Sequence, residues 1–370
     1  MSCRRKRTGQ HCPWWAVLAL NLVVALPVSA APPDVVWPDG EQPLLAGPGG
    51  DTLSGEQILA VIDSEGLPDD PRLLGRALRV LRMTPASQRD AHSWWLQGRI
   101  EQRLHRFDSA SRALARASAL APDNLSYLLE QFYVALAGGD GTQAKVHCDR
   151  IGALQASLLA ASCAAQWQLQ FASAEQAQAL IEKALASAGR GANEVALLDA
   201  LITRADILSR RSDDGAIAAW LRVLSRSPEN HYARDQLARQ LLAARQYADA
   251  ETVTRDHQSL GLLVSRLIAL RALDDPRATP LQQRLMREFR LARWRGDGLH
   301  RNEHVRFLAQ VLDDKPAALA LARQGWQEAP TPENRRVLLQ LASQMGKTTL
   351  VSALIRDVRQ PRPETGEASF

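Results

Sequence analysis

The sequence predicts an all-α fold: a right-handed superhelical solenoid of antiparallel helix pairs. Three observations predict it. Small and apolar residues recur at helical spacing with a period of about 34 residues. The spacing Ala-x11-Pro falls in phase at Ala110/Pro122, Ala216/Pro228 and Ala318/Pro330. No segment reads as a strand, and Ala, Leu, Arg and Gln are abundant, a helix-rich composition.

The chain opens on an export signal over residues 1–30. Arg4, Arg5, Lys6 and Arg7 give a basic start, Ala16 to Leu26 a short apolar core, and Pro27, Val28, Ser29 and Ala30 a small-residue cleavage site before Ala31. The apolar run is too short for an ordinary transmembrane helix. Removal of this leader changes the charge argument. It holds four basic and no acidic residues, out of 45 basic and 40 acidic in the whole chain. The mature chain would be nearly neutral, which excludes a nucleic-acid reading built on overall charge. A periplasmic location follows, with a membrane tether as the alternative if the leader is retained.

Residues 31–53 are rich in Pro and Gly and read as a disordered linker. Capping helices follow over 54–90. Ile58, Leu59 and Ile62 share one face of the first. The second starts at Asp70-Pro71, a cap followed by proline at the first helical position, with Leu74, Ala77, Leu78 and Leu81 inward.

The solenoid proper is expected over 91–358. Residues 91–124 carry its clearest unit, with Trp94, Gly98, Phe107, Ala110, Leu114, Ala117 and Pro122. These offsets resemble one tetratricopeptide repeat (TPR), a helix–turn–helix unit. Gly98 and Ala110 are small where the two helices cross, and Pro122 stops the second helix because it lacks an N–H. Ala144, Ala177, Ala216 and Ala250 restart the pattern, at intervals of 34, 33, 39 and 34 residues. It is recovered at Ala318, 68 residues on, and residues 333–358 give a final pair. Six or seven repeats are expected, with a degenerate one around 261–304. The tail, 359–370, is polar and reads as disordered.

Such a stack lines its concave groove with first-helix positions that do not pack. Trp95, Arg99, Gln102 and Arg103 are candidates in the first repeat, with Tyr133, Gln166, Tyr232, Asp235 and Arg239 later. Arginine suits a carboxylate, and Trp95 or Tyr133 an apolar anchor, so a protein or peptide partner is expected. Cys148 and Cys163 fall on adjacent helices and are a disulfide candidate; two buried free thiols are the alternative. His300, Glu303 and His304 spell H-x-x-E-H, a zinc-hydrolase pattern. It sits at a helix start without the sheets that normally house it, so it is the runner-up reading, and no metal, cofactor or catalytic residue is assigned. Arg284, Arg287, Arg290, Arg293 and Arg295 form a basic run, read as a solvated face or a site for an acidic partner or lipid headgroups.

A narrower resemblance rests on residues 70–75 (Asp-Pro-Arg-Leu-Leu-Gly), 102–108 (Gln-Arg-Leu-His-Arg-Phe-Asp), both mature cysteines, Arg295-Gly296-Asp297, His300, Glu303, residues 317–322 and Trp326. Over about residues 70–345 the chain is similar to a group of exported bacterial TPR proteins. That resemblance implies the same solenoid, an envelope location and no enzymatic activity. It also marks Arg72, Gln102, His105, Arg295, Asp297 and His300 as a polar cluster. The expected function is a non-enzymatic scaffold or adaptor.

Overall fold

The computed structural model describes residues 71–154, 157–189, 192–296 and 298–357. The leader, the linker, the expected helix over 54–64, the tail from 359 and Asp297 lie outside the described residues, as does the side chain of Arg72. The described residues form helices and short turns, with no strand among them. The helices are α1 (Pro71–Met83), α2 (Ala91–Arg103), α3 (Phe107–Leu120), α4 (Leu125–Gly138), α5 (Gly141–Ala153) and α6 (Ser157–Phe171). They continue with α7 (Ala174–Ser187), α8 (Glu194–Arg210), α9 (Ala216–Arg226), α10 (His231–Ala243), α11 (Tyr247–Thr254) and α12 (Leu260–Ala272). The last five are α13 (Ala278–Trp294), α14 (Arg301–Arg306), α15 (Lys315–Glu328), α16 (Pro332–Gln344) and α17 (Thr348–Asp357). From α2 onward they pack as antiparallel pairs in a right-handed superhelix. Eight pairs, α2/α3 to α16/α17, follow α1, rather than six or seven. The degenerate stretch and the final helices each make a full pair.

Local chemistry sets the helix ends. The side chains of Asp90, Asn124, Asn193, Asn230 and Thr331 accept from backbone N–H groups at the starts of α2, α4, α8, α10 and α16. Each such cap contributes about 1 kcal/mol. The turn inside most pairs repeats one device. A single residue takes a left-handed backbone, and the next N–H reaches the carbonyl five residues back. His105, Gly139, Ser212, Arg245, Asp274 and Gly346 hold that position. The accompanying bonds run from Arg106, Asp140, Asp213, Gln246, Asp275 and Lys347 to Glu101, Ala135, Leu208, Leu241, Leu270 and Ala342. This is the Schellman closure of a helix end.

The core is a chain of clusters, each shared by neighbouring pairs, as expected of a quasi-one-dimensional fold. Gly98 shows how tight the crossings are: a Cβ there would lie 2.5 Å from Leu114 Cγ. Trp220 is the largest fully buried side chain, at the α8–α9–α10 junction. Two buried carboxylates pin helices from below. Glu101 meets Arg82 at 2.8 Å and Arg106 at 3.5 Å. Glu251 meets Arg255 at 2.6 Å, Arg277 at 3.1 Å and Arg266 at 3.5 Å, and the hydrogen bonds from Arg255 hold its carboxyl below the usual range. A buried carboxylate is tolerated only with such partners. Cys148 on α5 and Cys163 on α6 are joined by a disulfide.

The period loosens where the sequence suggests. α8 runs 17 residues, which accounts for much of the interval of 39 between Ala177 and Ala216. α11 has only 8 residues, and α14 passes after 6 into a π turn, Phe307–Val311.

Candidate binding cleft on the concave face

The first helices of the pairs, α2 to α16, line the concave face. On α2, Trp95 is half-buried between the rings of His92 and Tyr127, with centroids 5.2 and 5.9 Å away. The Arg99 guanidinium lies 5.0 Å over its ring, and Arg99 Nε lies 3.8 Å from Glu130. Trp94 turns inward and is 7% exposed. Gln102 and Arg103 stand half-buried at the end of α2. These side chains thus form a packed surface.

Tyr133 and Gln166 belong to a network whose other members carry no repeat signature. The Tyr133 hydroxyl donates to Asp199, and Ser162 Oγ donates to the same carboxylate at 2.5 Å. Gln166 Nε2 donates to Thr203 Oγ1 at 2.8 Å and to the Tyr133 hydroxyl at 3.3 Å, while Ser162 and Thr203 lie 2.7 Å apart. Burial pushes the Asp199 carboxyl up, against the two hydroxyl donors, and pushes Tyr133 well above its ordinary value. The network ties α4, α6 and α8 together.

A second polar set follows across α8, α10, α14 and α16. Tyr232, half exposed, donates to Asp206 at 2.7 Å, and Arg239 donates to Asp235 at 2.6 Å. The charges of Arg210, Arg336 and Glu333 act on Asp206, and those of Glu303 and Glu333 on Arg239. Burial raises the Asp206 carboxyl to about 6. The folded protein therefore keeps this proton after the unfolded chain loses it near 3.8, so stability falls as pH rises between those values and stays lower above them. Asp206 is surrounded by protein yet in reach of water, which tempers the effect. Asp206→Asn is expected to raise stability at pH 7 by about 1–2 kcal/mol. Urea titrations at pH 7 and below pH 4 check this, since the gain must vanish in acid.

The superhelix turns far enough to meet itself. The start of α16 packs against α4, and a Cβ at Gly139 would lie 3.3 Å from Pro332 Cδ. Beside this contact open two cavities of ≈ 520 and ≈ 420 Å³, which share His105, Asn302 and Asn334. Arg106, Arg295 and Arg301 line the larger; Gln170, Arg210 and Arg335 line the smaller. Arg301 passes between Gly298 and Gly325, where a Cβ would come within 3.0 and 2.9 Å of it, and ends on Glu328 at 2.5 Å. Asn302 Nδ2 donates to Asn334 Oδ1 at 3.0 Å, and Asn334 Nδ2 donates to the Ala329 carbonyl at 2.8 Å. Amides, guanidinium groups and an imidazole around one opening suit a polypeptide, whose backbone and carboxylates they can bond.

Of the expected polar cluster, His105 and Arg295 line this cleft, and His300 adjoins it between Leu299 and Arg301. The backbone of Arg72 lies on α1, and Asp297 lies outside the described residues. The repeat pattern does not mark Asn302, Asn334, Asp199 or Asp206 as groove residues. Only Asn334 had a signal, three residues after the Thr331 cap. In the H-x-x-E-H stretch, His300 Nδ1 lies 3.9 Å from Glu303. The His304 ring stacks on Phe289 at 4.6 Å, and burial lowers its pKa to about 4. Among the described residues no three His, Cys, Asp or Glu side chains converge as metal ligands.

No protein-family model matches the chain, and no curated protein sequence matches it. Among solved structures it is similar to the APC/C hetero-tetramer Cut9–Hcn1. The identity is 12%, over 82% of this chain and 58% of that one, with a TM-score of 0.50. It is also similar to PilW, a widely conserved type IV pilus biogenesis factor, at 16% identity over 54% of this chain and 93% of that one (TM-score 0.41). The TPR domain of P58(IPK) matches at 11% identity over 79% of this chain and 93% of that one (TM-score 0.22). The fold here is the TPR solenoid, by its antiparallel helix pairs and its likeness to Cut9–Hcn1. At such identities the likeness is one of fold alone.

Proposed function

We propose that this protein is an exported, non-enzymatic scaffold or adaptor that holds a protein or peptide partner in the concave cleft. The observation that carries this reading is the cleft where α16 meets α4. It combines ≈ 520 and ≈ 420 Å³ openings with His105, Asn302 and Asn334 shared between them. A TPR solenoid offers groove-lining first helices, whose main use is recognition of extended or helical polypeptide. The basic start, apolar core and small-residue site over residues 1–30 support export to the periplasm.

Affinity capture from envelope extract tests the proposal. His105→Asn keeps a residue type that tolerates the left-handed backbone while removing the imidazole. Asn302→Ala removes an amide. Together they should cut partner recovery about tenfold, as loss of one or two good hydrogen bonds does. Leu221→Ala, at an exposed position on a second helix, should leave it unchanged. Full recovery by the cleft variant would show that the cleft is not the binding site.

A further inference from the structure

The outer side of α13 carries an exposed surface that is both basic and apolar. Only Leu285 and Phe289 of this helix are buried, in the cluster shared with α12 and the π turn. The opposite face holds Gln283, Met286, Arg287, Arg290, Leu291 and Trp294, all exposed. Positions 283, 287, 290 and 294 follow one another along a single helical face. Residues 278–295 contain five arginines against one acid, Glu288, in a chain otherwise close to charge balance. Arg287, Arg290 and Arg293 make no ion pair with the other described residues. Among those residues Trp294, 75% exposed, is the most exposed large apolar side chain, and Met286 and Leu291 are each 39% exposed.

From this combination we infer that α13 docks the protein on an anionic lipid surface. The arginines meet headgroup phosphates, and Trp294, Met286 and Leu291 enter the interface beside them. Each part answers a separate requirement. An unshielded row of guanidinium groups gives long-range attraction to negative lipid. The exposed tryptophan and aliphatic side chains give the apolar contact that an interfacial helix adds to charge, with the indole at headgroup level. As the second helix of its pair, α13 presents this face on the convex side. A partner in the concave cleft and lipid under α13 therefore do not compete.

The test is co-sedimentation of the full chain with phosphatidylcholine vesicles, with and without phosphatidylglycerol. The leader, with its basic start Arg4–Arg7 and apolar run Ala16–Leu26, is common to every variant and would bind vesicles by itself, so the difference between wild type and the α13 variants reports α13. The wild type should favour the anionic vesicles, and added salt should weaken this. Each arginine near such a surface is worth about fivefold in partition. Arg287→Glu with Arg290→Glu should thus lower anionic partition at least tenfold, by about two such factors. Trp294→Ala should lower it less, without removing the salt dependence. Equal partition onto both vesicle types, or an unchanged double variant, would overturn the inference. Binding of polyglutamate to this face without vesicle binding would also overturn it, in favour of an acidic protein partner.

Discussion

Trp220→Ala is expected to destabilise the protein by about 3–5 kcal/mol, the range for deleting a large buried aromatic side chain. The indole is fully buried and its Nε1 donates to Ser209 Oγ at 2.8 Å. It packs with Leu201, Ala205 and Leu208 of α8, Ala216 and Val223 of α9, and Leu237 of α10, while the Tyr232 ring meets it edge-on at 5.8 Å. Truncation removes these contacts and leaves Ser209 without its donor. Stability in a repeat stack is roughly a sum of unit and nearest-neighbour terms. Loss at a central junction should therefore lower the urea midpoint and also split the transition into two steps. Equilibrium unfolding followed by far-UV circular dichroism checks both, and a midpoint within error of wild type would contradict the packing described for this junction.

Removing the Cys148–Cys163 bond should cost about 3 kcal/mol, the chain-entropy value for a loop of about this length. The two residues are 15 apart in sequence and join α5 to α6, the junction between the second and third pairs. Cys148→Ala with Cys163→Ala leaves no free thiol at these buried positions. The alanines fill much of the same space beside Phe132 and Ile151, so the effect should come mainly from the unfolded chain. Urea unfolding with and without reductant reads it directly. The wild type should shift toward the double variant when reduced, and the double variant should not respond. An unresponsive wild type would mean that the bond contributes nothing.

Much of the fold is legible in the sequence because small residues and prolines act locally. Gly98 and Ala110 announce a close crossing, and Pro122, Pro228 and Pro330 end helices wherever they occur. The turns inside the pairs escape the same reading because their left-handed residue is chemically diverse. His105, Ser212, Arg245 and Asp274 share a backbone shape but no side-chain chemistry. The buried carboxylates Glu101 and Glu251 escape it because a glutamate on a helix looks solvated until its arginines are placed around it. The cleft is least legible. His105 and Arg295 are far apart in sequence and meet through superhelical twist accumulated over the whole stack, which no local pattern encodes. The resemblance to exported TPR proteins named both residues, but not the opening they share or the Asn302–Asn334 pair at its centre.

The central claim is that partners enter the cleft where the superhelix meets itself. Photo-crosslinking tests it most directly. A benzophenone side chain is placed in turn at His105 and Leu339, which line the cleft, and at Val195 and Leu221, which are exposed outside it. Irradiation in envelope extract should yield the same partner adduct from 105 and 339 and none from 195 and 221. Adducts from 195 or 221 alone, with none from the cleft positions, would contradict it.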